Sequence, residues 1–165
     1  MPAFPPRPEA LPPAFHGASA RHRIGAVAAS YRRLTGTPLV PATADHVEAM
    51  WHSPEVILAH GCEADPLFFF ANRAGLAAFE IGIDEFLRMP SRLSAEPLLR
   101  EERQRLLDRV SAQGFIADYA GVRISALGRR FPIARATVWN VSDDEGKSIG
   151  QAATFSAPPH VFPTR

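Results

Sequence analysis

The sequence predicts an α+β domain: a five-stranded antiparallel sheet with helices across one face, preceded by an N-terminal amphipathic helix. Three observations predict it. Val56 to Phe79 reads as a hairpin running straight into a helix. Phe115 to Ser156 reads as three alternating strands joined by tight turns at Leu127-Gly128-Arg129 and Asp143 to Gly146. Between the two groups lie helical segments broken by Pro90 and Pro97.

In chain order, residues 1–17 carry Pro2, Pro5, Pro6, Pro8, Pro12 and Pro13, each removing a backbone donor, so a disordered or extended arm is expected. Residues 18–55 are expected to form a helical extension. In a helix from Ala18 to Leu34, stopped by Thr35-Gly36, Ile24, Val27, Tyr31 and Leu34 share one stripe. That stripe must be buried against its own domain or against the same helix of a second copy, which would make a homodimer. Asp45 with Glu48 resembles a capping box for a short helix whose Val47, Met50 and Trp51 cover the sheet.

The domain proper is expected over 56–156, with a frayed tail at 157–165. Val56 to Ala59 and Leu67 to Ala71 are its first strands, turning around Gly61 and Asp65-Pro66, and Asn72 stands where it can cap the helix beginning at Arg73 or Ala74. Glu80 to Met89 is a short helical connector. After Pro97 a longer helix places Leu99, Leu106, Leu107 and Val110 inward and Arg100, Glu101, Glu102, Arg103, Arg105, Asp108 and Arg109 outward, and stops at Gly114. On the next strand Ile116, Ala120, Val122 and Ile124 are expected on one side and Tyr119, Arg123 and Ser125 on the other. A twisted sheet with helices over its concave side encloses an interior, which is the architecture of a PAS domain.

Composition limits the partners. The 165 residues suffice for one domain with its own core. Lysine plus arginine total 18 against 17 acids, so no global basic field points to nucleic acid. Cys62 is the only cysteine, which excludes an intrachain disulfide. No apolar run is long enough for a membrane span, and the early prolines interrupt any signal-peptide core, so a cytoplasmic protein is expected.

The segments HGCEADPLFFFANRAGLAAFE, MPSRLSAEPLLREERQRLLDRVSAQGFIADYAGVRISALGRRFPIARATVWNV and IGQAATFS resemble, in family order, the MEKHLA domain. The resemblance runs from Val56 to Ser156. It implies a PAS-like sensory or regulatory module for which a dimer is one expected state, of a kind found alone in bacteria and attached to plant homeodomain-zipper regulators. At Cys62 the family pattern is expected to have threonine, so the resemblance gives the thiol no role.

Several residue groups are candidates for chemistry. His60, Cys62, Glu63 and Asp65 are metal-ligand types within six residues, but a strand and a turn send neighbours in different directions, so a hairpin turn competes with a metal site. A flavin photoadduct is argued against because Ile83 to Glu96 has no cysteine and Gln151 stands one place early, on the opposite face from a flavin-contacting glutamine. Histidine-ligated haem is argued against because Pro97 to Gln113 has no histidine. For a small organic ligand the expected lining is Phe69, Phe79, Phe86, Tyr119 and Trp139 with Asn72 or Arg92 as polar contact, and a filled aromatic core is the competing expectation. Asp118 with Tyr119, or His60 with Asp65, would serve a small cavity enzyme of the isomerase or hydrolase type. Association with a protein partner is the expected route for any signal.

Overall fold

The computed structural model describes residues 9–42 and 45–161. Residues 1–8 of the expected arm lie outside the described residues. The remainder of that stretch is not an arm: Leu11 and Phe15 are buried, and a 3-10 turn over Pro13–Phe15 sets the Phe15 ring 5.1 Å from Phe70 and 6.2 Å from Trp51. Burial of one large aromatic side chain outweighs the backbone donors lost to proline.

Helix α1 spans Ala18–Thr35 and ends on Gly36, whose φ of 77° closes the helix in the left-handed region. Helix α2, His46–His52, begins with the Asp45 carboxylate accepting from the Glu48 N–H at 3.1 Å. The capping box is only half made, because the Glu48 carboxylate pairs with His52 Nε2 at 3.0 Å.

Strands β1 (Val56–His60) and β2 (Phe68–Ala71) form the hairpin. It leads into α3 (Arg73–Phe79), the one-turn α4 (Ile83–Phe86) and α5 (Pro97–Gln113). Strands β3 (Phe115–Ile124), β4 (Arg130–Ser142) and β5 (Ser148–Phe155) complete one antiparallel sheet in the order β2-β1-β5-β4-β3. Because β1 pairs with β5, the chain leaves β2 at one edge and re-enters β3 at the other, and α3 to α5 cross one face on the way.

Both faces are covered. On β4, Trp139 Nε1 donates to the Val27 carbonyl of α1 at 3.1 Å, while the neighbouring Asn140 Nδ2 donates to the Val110 carbonyl of α5 at 3.0 Å. Adjacent strand residues point to opposite faces, so α1 and α5 sandwich the sheet. Ile24 and Val27 of the α1 stripe are buried against the chain's own sheet.

Two expectations of side-chain direction are corrected. Asp118 and Arg135 adopt φ of 61° and 54°, and the β3–β4 register shifts on both sides of Tyr119. These bulges bring Ile116 and Tyr119 together against Leu106 and Val110, and leave Val122 exposed. The second concerns Arg103, which is buried rather than outward.

Candidate functional site

Beneath α5 lies a cavity of about 50 Å³, bounded by Leu58 and His60 of β1, Phe79 of α3, Arg103 and Leu106 of α5, and Ile133, Val138 and Gln151 on β4 and β5. The lining follows from strand alternation and from the α5 stripe. Arg103, Leu106 and Val110 stand at i, i+3 and i+7, so a helix that buries the two apolar residues turns Arg103 to the sheet as well. Leu106, Val110 and Val138 make a small apolar cluster of their own, apart from the main core.

The polar groups at the cavity are mostly committed. Gln151 Nε2 donates to the Leu107 carbonyl at 3.2 Å and to Asn140 Oδ1 at 3.1 Å, which ties β5 to α5. Gln151 therefore faces the interior, contrary to the expectation that it points away. Ser94 Oγ donates to the Ser91 carbonyl at 2.8 Å. His60 is 8% exposed, and its Nδ1 lies 2.9 Å from the Gly61 carbonyl, which can only accept, so the Nδ1 proton is fixed there. Burial holds the His60 imidazole down at about 4, reinforced by the Arg103 charge and opposed by the bond to Gly61.

Arg103 differs. Its side chain is 8% exposed and lines the cavity, yet no group among the described residues accepts a hydrogen bond from its guanidinium or pairs with it. Burial, then the Arg123 charge, pushes it down to about 10, with Tyr119 acting weakly in the other direction. Arg123 also lines the cavity, its guanidinium 5.7 Å from the Tyr119 ring centroid. Two cations of like sign thus border the cavity, Arg103 buried and Arg123 part-exposed with its guanidinium donating to the Val122 carbonyl at 2.9 Å.

The sequence profile of the MEKHLA domain matches residues 21–158. The chain belongs to the MEKHLA domain family. Among curated proteins it is similar to the homeobox-leucine zipper protein ATHB-15 of Arabidopsis thaliana, 28% identical over 124 residues, covering 70% of this chain and 14% of that protein. The MEKHLA domain here therefore spans about one seventh of that relative's length. Among solved structures it is similar to a PAS domain from Colwellia psychrerythraea, with a TM-score of 0.56 at 12% identity over 66% of this chain and 90% of that one. It is also similar to the Cys71Ser mutant of Vivid, with a TM-score of 0.57 at 13% identity over 84% of this chain and 96% of that one. These likenesses establish a PAS-like fold. The profile match takes in most of α1 and all of α2, so both belong to the MEKHLA pattern.

The MEKHLA fold distributes the expected site residues over three places. Phe79 lines the cavity, packed edge-on against Phe131 at 5.2 Å. Phe86 stacks on the cavity residue Phe68 at 4.4 Å, and Tyr119 packs beside Leu106. Trp139 and Phe69 lie on the other face, the latter under the Arg23 guanidinium at 4.0 Å. Arg92 pairs with Asp65 at the surface, 3.1 Å away. Asn72 is fully buried and wholly used by the scaffold: Oδ1 accepts from Ile57 N and Gly75 N at 3.1 and 3.0 Å, and Nδ2 donates to the Met50 and Glu55 carbonyls at 3.1 and 2.7 Å.

The His60 to Asp65 cluster is pulled apart. His60 points inward, Cys62 is exposed with Sγ 3.8 Å from the Ser148 carbonyl, Glu63 accepts from Leu67 N, and Asp65 binds Arg92. Among the described residues no three of His, Cys, Asp and Glu are grouped to hold a metal. Of the pairs expected for a cavity enzyme, Asp118 is exposed at the β3 bulge while Tyr119 packs inward beside Leu106, and His60 is buried while Asp65 is engaged by Arg92 at the surface. Arg103 and Gln151 are the cavity residues that sequence reasoning misplaced. The spacing of Arg103 from Leu106 and Val110 was the signal for the first.

Proposed function

We propose that this MEKHLA domain is a sensory or regulatory module in which a small ligand under α5 alters the surface offered to a partner. The supporting observation is the attachment of α5: a small, separate apolar cluster on one side and, on the other, a buried arginine whose guanidinium has no hydrogen-bond or ion-pair partner among the described residues. Elements held by few buried apolar contacts open at low free-energy cost, so occupancy of the cavity biases the position of α5 and of the neighbouring edge strand β3. The regulatory assignment draws on the homeobox-leucine zipper relatives, which carry the same domain.

The α1 stripe is spent within the chain, so association with a protein partner or a second copy uses the exposed side of α5, the β3 edge or the Arg-bearing face of α1. This reading involves no nucleic-acid contact and no catalytic step, and places the domain in the cytoplasm. Among the described residues no helix is long and apolar enough to cross a membrane.

Native mass spectrometry and hydrogen exchange test the reading. Protein purified without denaturation is expected to carry a releasable small-molecule mass, and exhaustive dialysis to speed amide exchange in α5 while β1 and β5 stay protected. If α5 exchanges as slowly as the central strands and is indifferent to dialysis, the interior does not sense a ligand.

A further inference from the structure

We propose that the cavity under α5 is a carboxylate site, in which Arg103, supported by Arg123, holds the carboxylate of a short aliphatic acid and Leu106, Ile133 and Val138 hold its alkyl end. This rests on the ligand-responsive reading above and names the ligand class. Charged side chains are almost never this deeply buried unless paired, because desolvation of the ion costs several kcal/mol per charge before compensation. Arg103 is 8% exposed, and no group among the described residues accepts a hydrogen bond from its guanidinium. The polar atoms around it, Ser94 Oγ, Gln151 Oε1 and His60 Nε2, are neutral acceptors, and none of them supplies the negative charge that would balance it.

The second charge has the same sign. Arg123 lines the same cavity and lowers the proton affinity of Arg103, and no carboxylate acts on Arg103 among the described residues. An anion between the two guanidiniums removes the repulsion and accepts the unmade hydrogen bonds. The planar five-donor fork of arginine fits a carboxylate with two parallel N–H···O bonds.

Size and wall chemistry narrow the class. A cavity needs roughly 10–15 Å³ of such space per water, so about 50 Å³ accommodates about four water-sized groups. That is the scale of a two- to four-carbon monocarboxylate. The lining beyond the two guanidiniums is mostly aliphatic and aromatic, which suits an alkyl tail and would desolvate any phosphate oxygen turned away from Arg103 and Arg123.

The test is thermal unfolding and calorimetry of the full chain with sodium propionate, acetate and butyrate, against propionamide and inorganic phosphate at matched ionic strength. Propionate or butyrate is expected to bind saturably and to raise Tm by about 5–10 °C at a hundredfold excess over Kd. Propionamide, which keeps the shape but not the charge, and phosphate are expected to leave Tm unchanged. Arg103→Met, which keeps much of the side-chain volume, is expected to fold and to lose the propionate response. Arg103→Lys, which keeps the charge but not the fork, is expected to bind about tenfold more weakly.

Equal stabilisation by propionamide or phosphate, or an undiminished response in both variants, overturns the carboxylate assignment. A wild-type chain indifferent to all the acids, yet carrying another small-molecule mass that slows α5 exchange, overturns this inference and leaves the ligand-responsive reading standing. Indifference to the acids together with an apoprotein mass and dialysis-insensitive α5 exchange overturns both.

Discussion

The indole N–H of Trp139 donates to the carbonyl of Val27, 3.1 Å away, and fastens α1 to the centre of β4. Trp139 lies across from Ala152, which lies across from Ala59, so the row running from the indole toward β1 is made of small residues, while Phe115 is its partner on β3. Tyr31 completes the contact with its ring 4.8 Å from that of Trp139. Trp139→Phe, which keeps an aromatic body but not the donor, is expected to cost about 1–2 kcal/mol in urea unfolding. A chain shortened to begin at Thr37 is expected to aggregate by light scattering, because this face of the sheet loses its cover.

Asn72 joins α2, β1 and α3 through both ends of one amide, accepting from Ile57 and Gly75 and donating to Met50 and Glu55. Asn72→Ala is expected to cost about 3 kcal/mol or more, since several buried backbone groups lose their partner together. Asn72→Asp separates a capping role from this scaffold role. Aspartate is as good an N-cap as asparagine, yet its second oxygen would face two carbonyls, so the variant is expected to be at least as unstable as Asn72→Ala. Wild-type stability in Asn72→Asp by chemical denaturation would show that only the cap matters.

Gly150 passes so close to β1 that a Cβ would stand 2.0 Å from the His60 carbonyl oxygen. The obstacle is backbone, which cannot swing aside as a side chain does. Gly150→Ala is expected to destabilise by about 3 kcal/mol, read as a lower denaturation midpoint, and to loosen exchange protection along the β1–β5 seam.

The buried His60 makes stability depend on pH in a defined window. Its pKa is pushed down to about 4 in the folded chain from an ordinary 6.5. Between those values the unfolded chain takes up a proton that the folded chain refuses, so this contribution is complete above pH 6.5 and is lost as pH falls toward 4. The loss is on the order of 3 kcal/mol. Unfolding free energies at pH 7 and pH 4.5 are expected to differ less in His60→Asn than in the wild type.

The sequence by itself determined the elements and their ends: the Asn72 and Asp45 caps, the Gly36 and Gly114 stops, the Val56 hairpin and the three-strand meander all form where their residues dictate. These are local matters, settled by backbone geometry and by polar groups within a few residues. Which surface each face meets was decided by the tertiary structure. Alternation places Trp139 and Asn140 on opposite sides of β4, but both sides are covered, so period alone could not assign Trp139 to α1 or Gln151 to α5. Bulges at Asp118 and Arg135 then shifted the alternation of β3 and β4. Arg103 shows the same division most sharply. Its spacing put it on the inward stripe, while its charge argued for water because desolvation is costly. Only the packing of α5 over the interior shows that the chain accepts that cost, and there the guanidinium faces a cavity in which an anion can offset it.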